Sequence, residues 1–283
     1  IVSLAHCNVF FVSPAVLKLD HLQLIYPLTG MYALPEQAIL VSGKHAPKEI
    51  MALRLGTTLS SPFFLQQALT NEEGSDGMIR TTVKDFAARS LSRSKSNAIP
   101  YIIATKMENS PMTEQGEGGD TYEMDLSRAL VFNHEKFKII EGEPSELLAL
   151  FSSRDIVGTL NYTADDGGSM EFKILGKKIR IKAKGKSIFA DMELSVDLSD
   201  VQHVNTNKVL SSADEIVKQY ANLLAKQFEK QLTELFETSK QCGIDFLNLQ
   251  DKAYQSVGRT LPENCLDELS FFAKVTIKVQ ETA

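Results

Sequence analysis

Between Ser212 and Gln241 apolar residues recur three and four apart: Ile216, Val217, Tyr220, Leu223, Leu224, Phe228, Leu232, Leu235 and Phe236. Lys218, Lys226, Glu229, Lys230 and Glu234 fill most positions between them. That period predicts one amphipathic helix with a broad apolar stripe and a charged back. Ser212 with Glu215 makes a capping-box pattern at its start, and Gly243 offers a left-handed residue at its end. About thirty residues rising ~1.5 Å each make a rod of roughly 45 Å. Such a stripe needs a sheet to lie on.

A second pattern supplies one. Met170, Phe172 and Ile174, then Ile179, Ile181 and Ala183, then Ile188, Ala190, Met192, Leu194, Val196 and Leu198 alternate with polar residues. Gly176 and Gly185 stand where bends are expected. Strict alternation predicts an antiparallel meander with one dry and one wet face. Ala273, Val275, Ile277 and Val279 repeat the alternation and suit a further strand of the same sheet. The long helix lies between them in sequence, so it is expected to cover the dry face.

Upstream the periods are shorter. Asn8–Val12 reads as a strand, Val16 to Ile25 as a helix halted before Pro27, and Gln37–Ser42 as a second strand. This is a βαβ-like unit whose two strands are too few to stand alone, so residues upstream of the chain are expected to complete its sheet. Helices are expected over Pro47–Leu55 and from Ser61-Pro62, and Thr82 with Asp85 resembles a cap before Val83 and Phe86. Ala98–Lys106 is strand-like, with Pro100 placing it at a sheet edge or a strand start. Asn109–Asp120 has linker composition. Met124–Phe132 and Phe137–Glu141 flank the hairpin-like Asn133–Lys136, Ser145 opens a helix, and Asp165-Asp166-Gly167-Gly168 marks a turn.

Composition narrows the function. The 283 residues are 43% apolar and 23% charged, ordinary for a globular chain with ample core. A net charge of −6 argues against a dedicated nucleic-acid binder. No stretch reaches the ~18 apolar residues of a membrane span. Beginning at Ile1 in strand-like sequence, the chain reads as a fragment or a processed product. Cys7, Cys242 and Cys265 match no metal spacing, and His6, His21, His45, His134 and His203 form no ligand pair. No nucleophile elbow or phosphate cradle is present, since the Gly-rich Gly116–Gly119 stretch lacks the Lys-Ser/Thr that a P-loop needs. No catalytic, cofactor or metal residues are assigned, although spatially paired carboxylates leave an enzyme reading open.

One charge feature remains. Lys173, Lys177, Lys178, Arg180, Lys182, Lys184 and Lys186 project from the wet face of the meander and its turns. One reading is a solvated face whose lysines resist edge pairing. The other is a docking patch of Lys178, Arg180, Lys182 and Lys184 for anionic lipid headgroups or an acidic protein.

The order of these motifs resembles a known family. Leu126, Ala129–Phe132 and Lys136 resemble the strand pair "GLAVFKKDKLVG" of the Ger(x)C family, the C subunits of spore germinant receptors. Glu143–Phe151 is similar to the family's short helix after that hairpin, and the lysine-rich meander and long charged helix follow in the family's order. Cys242–Leu247 stands where the family has "ADVFGFG", and Phe272–Val279 resembles its closing "VEVKVKVKI" strand. Ile39–Lys44 with Pro47–Ile50 is similar to "VLVAKGKAKDIL", and Thr82–Phe86 to "TLNDFLRAL". Two features depart from the pattern: Cys7 has no lipobox context, and Phe246–Ala253 lacks the family's glycines.

The resemblance implies an α+β protein of three small mixed α/β domains, here 1–56 (truncated), 57–155 and 156–283, the last an antiparallel sheet covered by the long helix. It also implies a non-enzymatic lipoprotein without cofactors, held by a palmitate-type N-terminal anchor absent from this chain on the outer face of the spore inner membrane. Its partners would be the integral-membrane A and B subunits of a nutrient germinant receptor, contacted through the βαβ region and the middle domain. Two other classes stay in view: a surface-exposed solute-binding lipoprotein, and an enzyme whose site is assembled from scattered carboxylates and histidines.

Overall fold

Ile39–Gly43 (β2) is a short apolar run with no alternation, and every residue of it is buried. That is the signature of a strand covered on both faces. A computed structural model describes the chain outside residues 1–3, 5, 19–22, 24–29, 31–33, 56–59, 71–76, 108–120, 153–157, 164–168, 203–212, 258–261, 263–264 and 281–283. The Ser212 cap, the Asn109–Asp120 linker, the Asp165-Asp166 turn, His21, His203 and most of the helix expected beyond Lys18 lie outside the described residues.

Two compact units emerge. The first holds Ile1–Ser152 together with Cys242–Asn248. Its sheet runs β1 (Val9–Phe11), β2, β3 (Asn97–Lys106), β4 (Tyr122–Phe132), β5 (Phe137–Ile140) in that order. β1, β2 and β3 are parallel, while β4 and β5 are antiparallel to their neighbours. Leu40 faces a cluster with Val83, Phe86, Ile99, Leu130 and Phe132. Its neighbours Ile39 and Val41 face the opposite cluster with Ile50, Leu65, Leu69 and Ile102. Thus α3 (Val83–Ser90) contributes to one face, and α1 (Pro47–Met51) and α2 (Ser61–Thr70) to the other, while α4 (Glu143–Ser152) follows the last strand of the sheet. As the sequence pattern requires, Thr82 caps α3 by accepting the Asp85 amide at 3.1 Å.

This arrangement revises two sequence expectations. Downstream strands β3 to β5 join β1 and β2 in one sheet, where upstream residues had been expected to do so. The boundary expected near Gly56 separates nothing here, because Ser42 pairs with Tyr101 and Gly43 with Ile102 across it. A composition break marks a change of surface chemistry, and a sheet can continue past it. β3 is an inner strand, yet Pro100 fits: β2 pairs with β3 only from Tyr101 onward, so the β2 side of Pro100 is locally an edge. The Asn133–Lys136 hairpin is confirmed by the pairing of Phe132 with Phe137. There the Asn133 side-chain oxygen accepts the amides of Glu135 and Lys136 at 2.9 and 2.8 Å.

Residues 242–248 belong to this first unit although about ninety residues separate them from Ser152. Gly243 (φ +67°) and Asn248 (φ +57°) take left-handed backbone, and Ile244, Asp245, Phe246 and Leu247 between them are buried. The Asp245 amide donates to Ser96 Oγ at 3.2 Å, and the Asn133 side-chain amide donates to the Gly243 carbonyl at 3.1 Å. Burial pushes the Arg89 guanidinium down, and the carboxylates of Asp85 and Asp245 work against that shift.

The second unit holds Ser153–Gln241 and Leu249–Ala283. Its sheet runs β6 (Thr159–Thr163), β7 (Ser169–Lys184), β8 (Ser187–Gln202), β9 (Ser270–Val279). The rod is α5 (Ala213–Cys242), and α6 (Gln250–Val257) follows it. Tyr220, Leu224, Leu232, Leu235 and Phe236 of α5 are buried. Phe236 stacks on Phe271 of β9 with ring centroids 5.2 Å apart. Phe271 belongs to the dry face, in register with Ile188 and Ala183, so α5 covers the side expected. α6 also packs against β7, where Ser256 Oγ donates to the Ala183 carbonyl at 2.9 Å.

Two details of this sheet differ from expectation. Gly176 is not a bend: β7 runs straight through it, and Ile174 pairs with Val196 while Gly176 pairs with Ser195. Leu175 is therefore the extra residue of a bulge, 47% exposed, and the inward phase passes from even to odd positions. Only Gly185 (φ +62°) turns the chain, in a two-residue hairpin. β6, β7 and β8 are antiparallel as expected, but β9 joins β8 in parallel. Alternation of side chains is the same in either direction, so it carries no information on strand sense.

Candidate docking surface

The wet face of the second sheet is ordered in rows. Lys184, Ser187 and Ser270 stand opposite one another at the hairpin end. The next row is Lys182, Phe189 and Phe272, and the one after it is Arg180, Asp191 and Lys274. Then come Lys178, Glu193 and Thr276. The four residues picked out by sequence, Lys178, Arg180, Lys182 and Lys184, are thus brought onto one face of β7, and all four are exposed. Alternation does this alone, since every second residue of a strand points the same way.

Their electrostatic surroundings divide them. Lys178 and Arg180 face Glu193 and Asp191 on β8. Glu193 also accepts from Lys278 at 2.9 Å, and this bond, helped by Lys178 and Arg180, holds its carboxyl below the ordinary carboxylate value. Arg180, Lys178, Asp191, Glu193, Lys274 and Thr276 border a shallow depression of about 200 Å3. Lys182 and Lys184 face Phe189 and Ser187 instead, and among the described residues neither forms an ion pair. At the turn, Lys186 pairs with Glu268.

The residues that sequence reasoning missed are Phe189 and Phe272. They are 40% and 52% exposed and stack on each other with centroids 5.2 Å apart. Both occupy wet-phase positions, Phe189 between inward Ile188 and Ala190, and Phe272 between inward Phe271 and Ala273. An aromatic residue out of phase with the dry face was the available signal.

Among the described residues His45 lies beside Glu49 and His134 beside Glu135, at 4.0 and 3.5 Å, and no group of three or more His, Cys, Asp or Glu is gathered as metal ligands would be. Cys7, Cys242 and Cys265 are in no disulfide, and burial raises the pKa of the first two. No described helix is long and apolar enough to cross a membrane.

A mixed α+β protein with a helix-backed sheet and an amphipathic outer face is the class that these features define. Residues 127–282 match the family described as spore germination B3/GerAC like, C-terminal. The chain belongs to this family. Its fold is similar to that of the crystal structure of the GerBC protein, with a TM-score of 0.62 and 12% identity, covering 99% of this chain and 81% of that one. No curated protein matches the chain.

Proposed function

We propose that the protein is the non-enzymatic lipoprotein subunit of a spore nutrient germinant receptor, acting by assembly with integral-membrane A and B subunits at the spore inner membrane. The family match over residues 127–282 carries this reading. The GerBC-like fold across nearly the whole chain supports it. The protein works through surfaces: an N-terminal lipid anchor holds it to the outer face of the membrane, and the face bearing Lys178, Arg180, Lys182 and Lys184 docks.

Deletion of the gene tests the reading. Sporulation should stay normal while germination in response to particular nutrients is lost. Normal germination to every nutrient tried would remove the receptor role.

A further inference from the structure

We infer that the hairpin end of the second sheet docks flat on an anionic lipid surface, with Phe189 and Phe272 as its apolar foot and Lys182 and Lys184 as its charge contacts. The inference rests on taking the outer face of this sheet as a docking surface, and it names what that face meets.

Three observations carry it. First, the Phe189–Phe272 pair is an exposed apolar spot flanked by rows of charged and hydroxyl side chains. Stacked rings standing out from a sheet lose contact with water only when something covers them. Second, the rows on each side of the pair are cationic. Lys184 lies on the turn side and Arg180 with Lys274 on the other, while Lys182 shares the row of the rings. Aromatic rings at the depth of lipid headgroups, ringed by lysines whose long stems keep the ammonium groups in the phosphate layer, form an interfacial arrangement.

Third, charge distribution separates the ends of the face. Farther from the turn Glu193 pairs with Lys278 and stands opposite Lys178, and Asp191 stands opposite Arg180 and Lys274. Lys182 and Lys184 have no carboxylate opposite them, so their charge is available to an external anion. The depression on this face lies around Arg180 and Glu193 and does not include the rings. Stacked rings beside lysines that face no carboxylate among the described residues, outside the shallow depression, fit a fluid anionic surface. The protein as a whole carries −6, so attraction to an anionic leaflet has to come from a local patch such as this one.

The test uses the 283-residue chain without an acyl group, sedimented with vesicles of phosphatidylcholine alone or mixed with phosphatidylglycerol. Binding should need phosphatidylglycerol and weaken as salt rises. The K182A/K184A variant should lose roughly thirtyfold in affinity, from ~1 kcal/mol per lysine near an anionic leaflet. The F189S/F272S variant should bind more weakly but keep its salt dependence. Cooperative melting and an unchanged circular dichroism spectrum of both variants at the assay temperature show that the fold is kept. Absence of phosphatidylglycerol-dependent binding, or equal binding by K182A/K184A, would overturn the inference. So would sedimentation of the wild-type chain as a dimer that F189S/F272S abolishes without any lipid effect, because the rings would then meet a second copy. If the four-residue neutralisation of Lys178, Arg180, Lys182 and Lys184 impairs germination while vesicle binding is unchanged, the docking face stands and the lipid inference falls. The receptor role itself is decided separately, by the gene deletion.

Discussion

The two sheets of this protein use the same backbone geometry for opposite ends. In the first, β2 and the start of β3 are buried on both faces, and odd and even residues enter different clusters. In the second, β7 and β8 bury alternate residues and leave the others in water. A sheet packed on both sides has no face to offer, and its sequence reads as short apolar runs. A sheet packed on one side has a free face whose side chains can change without disturbing the core. The proposed docking surface therefore lies where alternation is cleanest. The comparison teaches that in a protein acting by contact, the half-wet sheet is the first place to look.

Substitutions at matched depths can break or sharpen this contrast. The largest loss is expected in the two-sided sheet: Phe132→Ala, fully buried beside Phe86, should destabilise by about 3–5 kcal/mol in guanidinium denaturation. In the second unit, Leu232→Ala on the covered side of α5 should cost about 2–5 kcal/mol, because the rod has no other surface on which to bury that stripe. A loss below about 1 kcal/mol would contradict the packing of α5 described above.

A smaller effect concerns the edge of the second sheet. Glu229 of α5 accepts the Val275 amide of β9 at 2.9 Å, and Lys240 donates to the Leu269 carbonyl at 3.2 Å. The charged residues of the rod thus occupy backbone groups that an edge strand otherwise offers to another chain. Glu229→Ala should cost about 1–2 kcal/mol and raise aggregation, measured by light scattering on warming. On the open face, Phe272→Ser should cost only about 0.5–1.5 kcal/mol, the worth of the lost ring pair. A penalty as large as that of Phe132→Ala would mean that the outer face is structural and the contrast false.

The smallest change is one of pH. Burial works to raise the Asp125 carboxyl, but bonds from Ser127 and Arg128 outweigh it, and its pKa is lowered overall. A lowered folded value means that its stabilisation is complete above the unfolded carboxylate value of ~3.9 and is lost as pH falls through the folded one. Asp125→Asn should melt below wild type near neutrality, and the two melting curves should converge as pH falls through the folded value.

Much of the second unit was legible because its signals are local and periodic. The three- and four-residue spacing gave α5, and Gly243 gave its end. The alternation by itself places Lys178, Arg180, Lys182 and Lys184 on one face. What escaped were long-range choices. Strand direction does not alter alternation, so the parallel joining of β9 was invisible. Gly176 has the composition of a turn and the role of a bulge residue, a difference set by what Val196 and Ser195 pair with. The pairing of Ser42 with Tyr101 spans residues whose composition suggested a boundary. At the candidate site the lysines stood out as a run, whereas Phe189 and Phe272 were masked by apolar neighbours and become a pair only across two strands distant in sequence.

The membership of Cys242–Asn248 in the first unit has a consequence for biosynthesis. While a ribosome is translating α5, all five strands of that unit have been made, yet Phe246 and the Asp245 carboxylate that acts on Arg89 are still untranslated. The amino-terminal half must wait, incompletely filled, until the rod has emerged and the seven residues behind it are free to insert. A nascent chain stalled within α5 would leave that gap open, and a synthetic peptide spanning the missing segment should protect such a stalled product from protease.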